Sequence, residues 1–469
     1  MTEFQVVVIG AGPGGYLTAI KLSQLGQKVA LIENDKLGGE CLNYGCIPSK
    51  TMINTSDMYH KMSDLSIQGI EFESVKIDLE TFQTWKNSIT KKLRGGIDLL
   101  CKNYGVEIVF GTAKIRNPNL VEVINGENKK EISTEYIIIA TGSRAKDLED
   151  LRFDGNQIIS AKDVLDLNKV PKSMLIVGGG AIGLELGTAL AKFGTQVTII
   201  EITDKLLPDI EQDLVNVIER SADEIGIKIL LNSRITEISK ESEVVESIKN
   251  NDNVSNEKFE KVLVAVGRRA NVEKLGLEEI GIKFNSNGFI QVDDKMQTNV
   301  SNVFAIGDVV GPPWLAYKAY MQGRKLAYHI AKIPANIQIK NIPYAVYTEP
   351  EIASVGLTEE SALEQKYDIR VGKFQFAANA RALTSDDGKG FAKVVVDNST
   401  HKVLGVHIVG KNASELISEG VLGLNIGMKI EDIESSIHPH PTLTEALFEA
   451  ALVSLDKSVH SFIKKSKSE

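Results

Sequence analysis

Two stretches of this chain carry residues that could do chemistry together. The first is Gly38-Gly39-Glu40-Cys41-Leu42-Asn43-Tyr44-Gly45-Cys46-Ile47-Pro48-Ser49-Lys50, which holds two of the three cysteines. A close pair of cysteines can exchange electrons as dithiol and disulfide. The plainer readings are buried apolar fillers, since free cysteines pack well, or part of a metal site. Two cysteines do not complete a tetrahedral ligand set, and the nearest histidine in sequence is His60. On a regular helix, positions five apart point about 140° away from each other, so a bridge here requires a distorted turn. Gly38, Gly39 and Gly45 allow such a tight backbone. The second stretch is His438-Pro439-His440-Pro441-Thr442-Leu443-Thr444-Glu445. Prolines push the residue before them to extended backbone, which predicts that both imidazoles point to one side. Histidine is the usual proton carrier near neutral pH, and Glu445 is close enough to orient an imidazole. A metal site, surface histidines, and a Thr442-x-x-Glu445 capping box fit the same residues.

Electron exchange needs a carrier, and two segments are built to hold one. Residues 4–9 read as a buried strand, followed by Gly10-Ala11-Gly12-Pro13-Gly14-Gly15. An amphipathic helix to about Leu25 and a strand Lys28–Ile32 ending in Glu33 complete the unit. This is the G-x-G-x-x-G turn with an acid about 20 residues on that marks a dinucleotide site. The first glycine makes the turn, the second admits the pyrophosphate, and the third lets helix and strand pack. The pattern returns at Met174–Val177, Gly178-Gly179-Gly180-Ala181-Ile182-Gly183, a helix to about Phe193, and a strand Gln196–Ile200 ending in Glu201. Gly178 and Glu201 stand at the same interval as Gly10 and Glu33, which makes this an internal repeat. Two nucleotide sites suggest two carriers that pass electrons between them. Glu201 would repel a 2′-phosphate and no Arg follows it closely, which favours NAD over NADP.

Each copy closes on a strand and a glycine turn: Tyr136–Ala140 into Thr141-Gly142-Ser143, and Val262–Val266 into Gly267-Arg268-Arg269. The first copy carries an insertion with the cysteine pair, a helix near 50–64 and a long helix near 78–104, where Cys101 reads as a core residue. A strand then ends in Gly307-Asp308; the acid suits a hydroxyl-rich cofactor or a helix cap. A helix from about Trp314 to Ile330 follows. After a linker near 335–345, strands at 373–377, 391–397 and 403–409 and helices Ser414–Leu424 and Thr444–His460 predict an α+β domain. Residues 464–469 read as a frayed end. The fold class is α/β, with two Rossmann-like domains and a C-terminal α+β domain. The expected divisions are 1–149, 150–272, 273–340 and 341–469. At 469 residues the chain is long enough for about three domains. A net charge of −9 argues against a nucleic-acid surface, and no apolar run is long enough to span a membrane. With the first strand beginning near Phe4 and only three cysteines, a cytoplasmic location is expected.

These motifs, from Gly10–Gly15 and Gly38–Lys50 through Ala140–Ser143, Gly178–Glu185, Gly267–Arg269 and Gly307–Val309 to His438–Glu445, resemble the class I flavoprotein pyridine nucleotide–disulfide oxidoreductase family over nearly the whole chain. The match is to the branch that oxidises protein-bound dihydrolipoyl groups to lipoyl with reduction of NAD+. The resemblance implies a homodimer with a C-terminal dimerisation domain at 341–469. It implies one FAD per subunit, in a domain at 1–149 completed by 273–340, and NAD in a domain at 150–272. By that resemblance FAD meets Gly10, Gly12, Gly14, Gly15, Glu33, Lys50, Ala113, Gly142, Ser143, Asp308, Leu315, Ala316 and Tyr317. NAD meets Gly178, Gly180, Ala181, Ile182, Gly183, Glu185, Glu201, Ile235 and Gly267, and Lys50 pairs with Glu185. Cys41 and Cys46 form the redox disulfide, with Cys41 as the interchange sulfur and Cys46 toward the flavin. His440 of the partner subunit is the acid–base, oriented by Glu445. Partners are lipoyl-bearing proteins of 2-oxo acid dehydrogenase or glycine-cleavage complexes. The chain departs from the usual pattern at Tyr44, Tyr317 and Gln322. Other readings on the same scaffold are a glutathione-type reductase, a mercuric-type reductase, for which a C-terminal cysteine pair is missing, and a redox-silent flavoprotein scaffold.

Overall fold

A computed structural model of the chain describes residues 2–62, 68–70, 73–240, 244–250 and 253–462. The predicted frayed end at 464–469 lies outside the described residues. The chain packs as two compact units, residues 1–170 with 263–339, and 171–262 with 340–469.

In chain order the first stretch supplies β1 (Thr2–Ile9), α1 (Pro13–Gln24), β2 (Val29–Glu33), α2 (Gly39–Tyr44), α3 (Cys46–Met62), α4 (Leu79–Asn103), β3 (Glu107–Phe110), β4 (Thr112–Asn117), β5 (Leu120–Asn125), β6 (Asn128–Ile139), β7 (Ser143–Ala145), β8 (Ile158–Ile159) and α5 (Ala161–Leu165). The second supplies β9 (Ser173–Val177), α6 (Ala181–Lys192), β10 (Gln196–Ile200), α7 (Gln212–Glu224), β11 (Lys228–Leu230), β12 (Ser233–Lys240), β13 (Val244–Asn250) and β14 (Asn253–Phe259). At β15 (Lys261–Val264) the chain returns to the first unit, with β16 (Arg268–Ala270), β17 (Val303–Ala305), a 3-10 turn at Gly307–Val310 and α8 (Ala316–Ile330). The last stretch holds β18 (Tyr344–Val346), β19 (Glu351–Gly356), α9 (Glu359–Glu364), β20 (Ile369–Gln375), α10 (Ala380–Leu383), β21 (Phe391–Asp397), β22 (Val403–Gly410), α11 (Ala413–Ile426), α12 (Ile430–Glu434) and α13 (Glu445–Ser454).

The main sheet of the first unit runs β3-β2-β1-β6-β5-β4, with β17 also paired to β6. β1 is parallel to β2, with Ile9 opposite Ile32, and to β6. Val6–Val8, Leu31 and Ile137–Ile139 are buried almost completely, as a parallel sheet covered on both faces requires. In the second unit the order β11-β10-β9 repeats the β3-β2-β1 arrangement, β9 and β10 pairing from Ser173–Gln196 to Val177–Ile200. A further sheet of this unit, β18-β19-β22-β21-β20, is antiparallel throughout and packs Phe374, Val394, Val406 and Ile408 against Ile417, Leu447 and Ala450.

The expected helix at Thr444–His460 ends early, at Ser454. Asp456 takes a left-handed backbone with φ 59°, and the Lys457 N–H donates to the Leu452 carbonyl at 2.9 Å. This is the closure that ordinarily uses glycine. The helix expected near residue 50 starts earlier, at Cys46.

Candidate active site

The redox segment begins on the first dinucleotide loop. The Gly38 N–H donates to the Ala11 carbonyl at 2.8 Å, and a Cβ added at Gly39 would stand 2.6 Å from the Gly12 Cα. Gly38 and Gly39 therefore bring α2 onto the loop rather than shaping the sulfur bridge, as the sequence reading had it. Gly45 alone of the three lies at the bridge. It interrupts the helical path with φ −135° and ψ −108°, ending α2 before α3 starts at Cys46. That break is the distorted turn that the spacing demands. Cys41 and Cys46 are bonded, with Cα atoms 4.7 Å apart. Cys41 is half-buried and Cys46 exposed. Cys46 is also the first residue of α3, where unpaired N–H groups and the helix dipole favour a thiolate. Lys50 lies on the same helix.

Side chains far away in sequence hold the segment. Arg94 of α4 donates to the Asn43 Oδ1 at 2.8 Å, while the Asn43 amide donates to the carbonyls of Leu37 and Gly39. Arg268 reaches the Glu40 carboxylate at 2.7 Å. The same guanidinium donates to the Ser143 hydroxyl at 2.7 Å and carbonyl at 3.0 Å. The Ser143 hydroxyl in turn donates to Asp308 at 2.6 Å. Arg94 and Arg268 were not among the expected site residues. Arg268 lies in the Gly267–Arg269 turn, but its reach to Glu40, like that of Arg94 to Asn43, spans long stretches of chain that no local pattern covers.

The two repeats share one device. Glu33 accepts from the Ala11 N–H at 2.8 Å and from the N–H groups of Asn34 and Asp35. Glu201 accepts from the Gly179 N–H at 2.8 Å, and from the N–H and hydroxyl of Thr203. Each acid thus grips its own glycine loop. Burial works to raise the Glu33 pKa, and the three N–H groups offset only part of this, so the net shift is upward. At the third glycines the reason for the residue is steric. A Cβ at Gly15 would meet the Gly10 carbonyl oxygen at 1.8 Å, and one at Gly183 the Gly178 oxygen at 2.2 Å. Neither α1 nor α6 has a side-chain cap, and a Cβ at Gly180, Gly142 or Gly267 would meet open space. Uncapped N–H groups beside open loop backbone suit a pyrophosphate. The residues present therefore fit a bound dinucleotide at each loop.

The other expected contacts are placed as follows. Gly14 packs toward Ala319, and Ala113 is buried in β4 opposite Val123. Leu315 caps α8, while Ala316 and Tyr317 open it, half-buried. Ala181 and the exposed Ile182 form the first turn of α6. Ile235 lies in β12 opposite Ile248. Glu185, 7% exposed, accepts from the Tyr347 N–H at 3.0 Å. Gln322 is buried and accepts from the Gly307 N–H at 2.8 Å, so it supplies the acceptor that a glutamate would, without a buried charge.

In the second unit His440 Nδ1 stands 2.8 Å from the Glu445 Oε1, and the Thr442 N–H donates to the other Glu445 oxygen at 2.8 Å. Glu445 thus holds the imidazole and the turn before α13 together, and the expected Thr442-x-x-Glu445 capping box does not form, because α13 starts at Glu445 itself and the Thr442 hydroxyl donates to the Pro439 carbonyl. Its carboxyl is partly desolvated, which opposes ionisation, but the Thr442 N–H and His440 outweigh that and lower the pKa. The expectation that both histidines face one side fails. The His440 side chain is 72% exposed, whereas that of His438 is 8% exposed, bonded to Glu419 at 3.1 Å and stacked near Phe448. Leu383, Leu422, Ile426, Ile437, Val459 and Phe462 of this unit are exposed.

Comparison with known proteins gives this arrangement its family. Residues 4–323 match the family model described as pyridine nucleotide-disulphide oxidoreductase, and residues 342–451 match its dimerisation domain. The chain belongs to the pyridine nucleotide-disulphide oxidoreductases. It is 43% identical to a dihydrolipoyl dehydrogenase of Geobacillus stearothermophilus, over 98% of both chains. It is 40% identical to that of Bacillus subtilis, again over 98% of both. Among solved structures, LpdA from Mycobacterium tuberculosis superposes with a TM-score of 0.89 at 25% identity, covering 96% of this chain and 99% of that one. The flavoprotein disulfide reductase RclA from Escherichia coli gives 0.86 at 28% identity, over 96% and 99%. The family implies FAD and NAD(H) as cofactors, and the dimerisation domain supports a homodimer whose interface would take up exposed apolar side chains.

Proposed function

We propose that the chain is an NAD-dependent dihydrolipoyl dehydrogenase, which oxidises protein-bound dihydrolipoyl groups to lipoyl. The observation that carries the substrate is identity of about 40% along the full chain to relatives of that name. The reaction class rests on the Cys41–Cys46 disulfide beside a dinucleotide loop.

In this reading His440 of the partner subunit takes a proton from one dihydrolipoyl thiol. Glu445 holds that imidazole by its Nδ1 and balances the positive charge it gains. The lipoyl thiolate attacks the Cys41 Sγ, the Cys41–Cys46 bond breaks, and Cys46 leaves as thiolate at the start of α3. The second lipoyl thiol passes its proton to Cys41 as its sulfur displaces Cys41, which closes the lipoyl disulfide and leaves the pair reduced, with Cys41 a thiol, Cys46 a thiolate and His440 protonated. Bound FAD and NAD+ would supply the acceptors for that electron pair, which would restore the Cys41–Cys46 disulfide. Gly10, Gly12, Gly14, Gly15, Glu33, Ser143 and Asp308 would hold FAD, and Gly178, Gly180, Gly183 and Glu201 would hold NAD. Glu201 keeps a negative charge where NADP would carry its 2′-phosphate. Lipoyl-bearing proteins of 2-oxo acid dehydrogenase or glycine-cleavage complexes would present the substrate. A cytoplasmic location belongs to the same reading; among the described residues no helix is long and apolar enough to cross a membrane.

The test compares NADH formation from dihydrolipoamide and NAD+ with NADPH-driven reduction of glutathione disulfide. Turnover with the first pair alone is expected. Activity confined to the second pair would overturn the substrate assignment, and turnover with neither would favour a redox-silent scaffold.

A further inference from the structure

Tyr44 stands between the two cysteines, as the last residue of α2 and directly before the break at Gly45. Its hydroxyl donates to the Asp35 Oδ2 at 2.7 Å. The ammonium groups of Lys36 and Lys162 lie over its ring, 4.9 and 4.0 Å from the centroid. Asp35 and Lys36 belong to the loop after β2, and Lys162 to α5. One side chain thus joins the end of the redox helix to two other segments. α5 is itself fixed from α4: buried Lys86 donates to the Leu165 carbonyl at 2.6 Å and pairs with Asp166 at 2.8 Å. Gln83 donates to the carbonyls of Leu165 and Leu167.

A helix of six residues has little stability of its own, so α2 stays in place through such tethers. Glu40 and Asn43 are held from Arg268 and Arg94, and Tyr44 supplies the tether nearest to the Gly45 turn. Opening the disulfide moves two bonded sulfurs out to van der Waals separation. The backbone between Cys41 and Cys46 must accommodate that movement. A tether on Tyr44 that resists it favours the closed pair.

We infer that Tyr44 is a positioning residue for the Cys41–Cys46 pair, and that its ties to Asp35, Lys36 and Lys162 bias the pair toward the disulfide. The inference rests on that pair being the reacting disulfide, and not on the identity of the substrate. Loss of one weak hydrogen bond or cation–π contact corresponds to a change of about three- to tenfold in an equilibrium constant.

The experiment equilibrates the flavin-loaded protein anaerobically with glutathione and glutathione disulfide. Two glutathione thiols reduce the pair to a dithiol and leave as the oxidised dimer, so the reaction balances without another oxidant. Rapid alkylation and mass analysis then read the dithiol fraction. Tyr44→Val, which removes ring and hydroxyl, should shift the equilibrium about three- to tenfold toward the dithiol. Tyr44→Phe, which keeps the ring, and Lys162→Met, which removes one cation, should each give a smaller shift in the same direction. An unchanged equilibrium in Tyr44→Val would overturn the inference. So would a shift in Tyr44→Val with Tyr44→Phe and Lys162→Met both at the wild-type value, since side-chain volume alone would then be responsible. If Tyr44→Val fails to fold, the other two variants decide by the same criterion. Wild-type turnover of dihydrolipoamide is read separately, so a wrong substrate and a wrong role for Tyr44 give different results.

Discussion

At the scale of single residues, the chemistry separates into groups that react and groups that hold them. His440 and Glu445 divide in this way. Replacing His440 by Gln should leave the fold and flavin content intact and slow dihydrolipoamide oxidation by about 10²–10⁴-fold, the usual size of lost general acid–base help. Glu445 has two duties, and two variants separate them. Glu445→Gln keeps an acceptor for the Thr442 N–H but loses the charge opposite His440. It should slow turnover with little change in thermal stability. Glu445→Ala should show the same slowing together with a loss of about 1 kcal/mol from the hydrogen bond to the Thr442 N–H. Wild-type turnover in Glu445→Gln would leave Glu445 only the turn at Thr442 to hold. The Thr442-x-x-Glu445 spacing suggests a capping box that does not form, whereas the imidazole-orienting role was legible from proximity. That one carboxylate holds both the imidazole and the Thr442 N–H became visible only from its two oxygens. His438 shows the limit of this reasoning, because a Pro-rich stretch of the same local composition seats it against Glu419 and Phe448.

At the scale of elements, the duplicated βαβ unit makes a paired prediction. Gly15 and Gly183 occupy matching positions, and in both a methyl group would collide with the carbonyl of the loop's first glycine. Gly15→Ala should yield protein with little visible flavin absorbance. Gly183→Ala should keep its flavin and its reduction by dihydrolipoamide, while the KM for NAD+ rises. The reverse pattern, or equal effects on both, would contradict the assignment of the two loops. These units were legible because their signals are local: apolar runs of strand length, glycines at fixed offsets, an acid at the end of the second strand. The redox helix was only partly legible. Gly38 and Gly39 look like turn residues for a sulfur bridge, yet their partners are Ala11 and Gly12 on the dinucleotide loop. Distance along the chain hid that contact, as it hid Arg94 on Asn43 and Arg268 on Glu40. The end of α13 was illegible for a different reason. Its stop is made by Asp456 in a left-handed conformation, where sequence reasoning looks for glycine.

At the scale of the whole molecule, each unit is assembled from two separate stretches of chain, and the second unit joins its stretches through buried charge. Lys393, with its side chain 1% exposed, meets Glu211 and Glu359 at 2.8 Å and Asp213 at 3.0 Å, and Lys373 reaches Asp213 at 3.0 Å. Burial alone would lower the Lys393 pKa, but hydrogen bonds to these carboxylates outweigh it and the net shift is upward, so the group is charged at neutral pH. Removing one member of a buried pair strands the other, typically at about 3–5 kcal/mol. Lys393→Met should therefore speed amide hydrogen exchange in β21 and β22, and adding Glu211→Gln should recover part of the loss. His407 borders this cluster, fully enclosed, its Nε2–H donating to the Leu357 carbonyl at 2.9 Å with Glu211 3.9 Å away. Burial, opposed by Glu211, lowers its pKa below the ordinary 6.5. The unfolded chain then binds the proton more readily than the folded one. The stability this contributes is complete above pH 6.5 and is lost progressively as pH falls toward the lower folded value. The raised pKa of Lys393 acts only at alkaline pH, and the lowered one of Asp213 only in strong acid. Between pH 7 and about 5 the protection of β21 and β22, read as exchange relative to the intrinsic rate at each pH, should fall more steeply in the wild type than in His407→Gln, because only the wild type has this proton to take up on opening. Parallel pH dependences in the two proteins would remove His407 from the account and leave the carboxylates to explain any acid sensitivity.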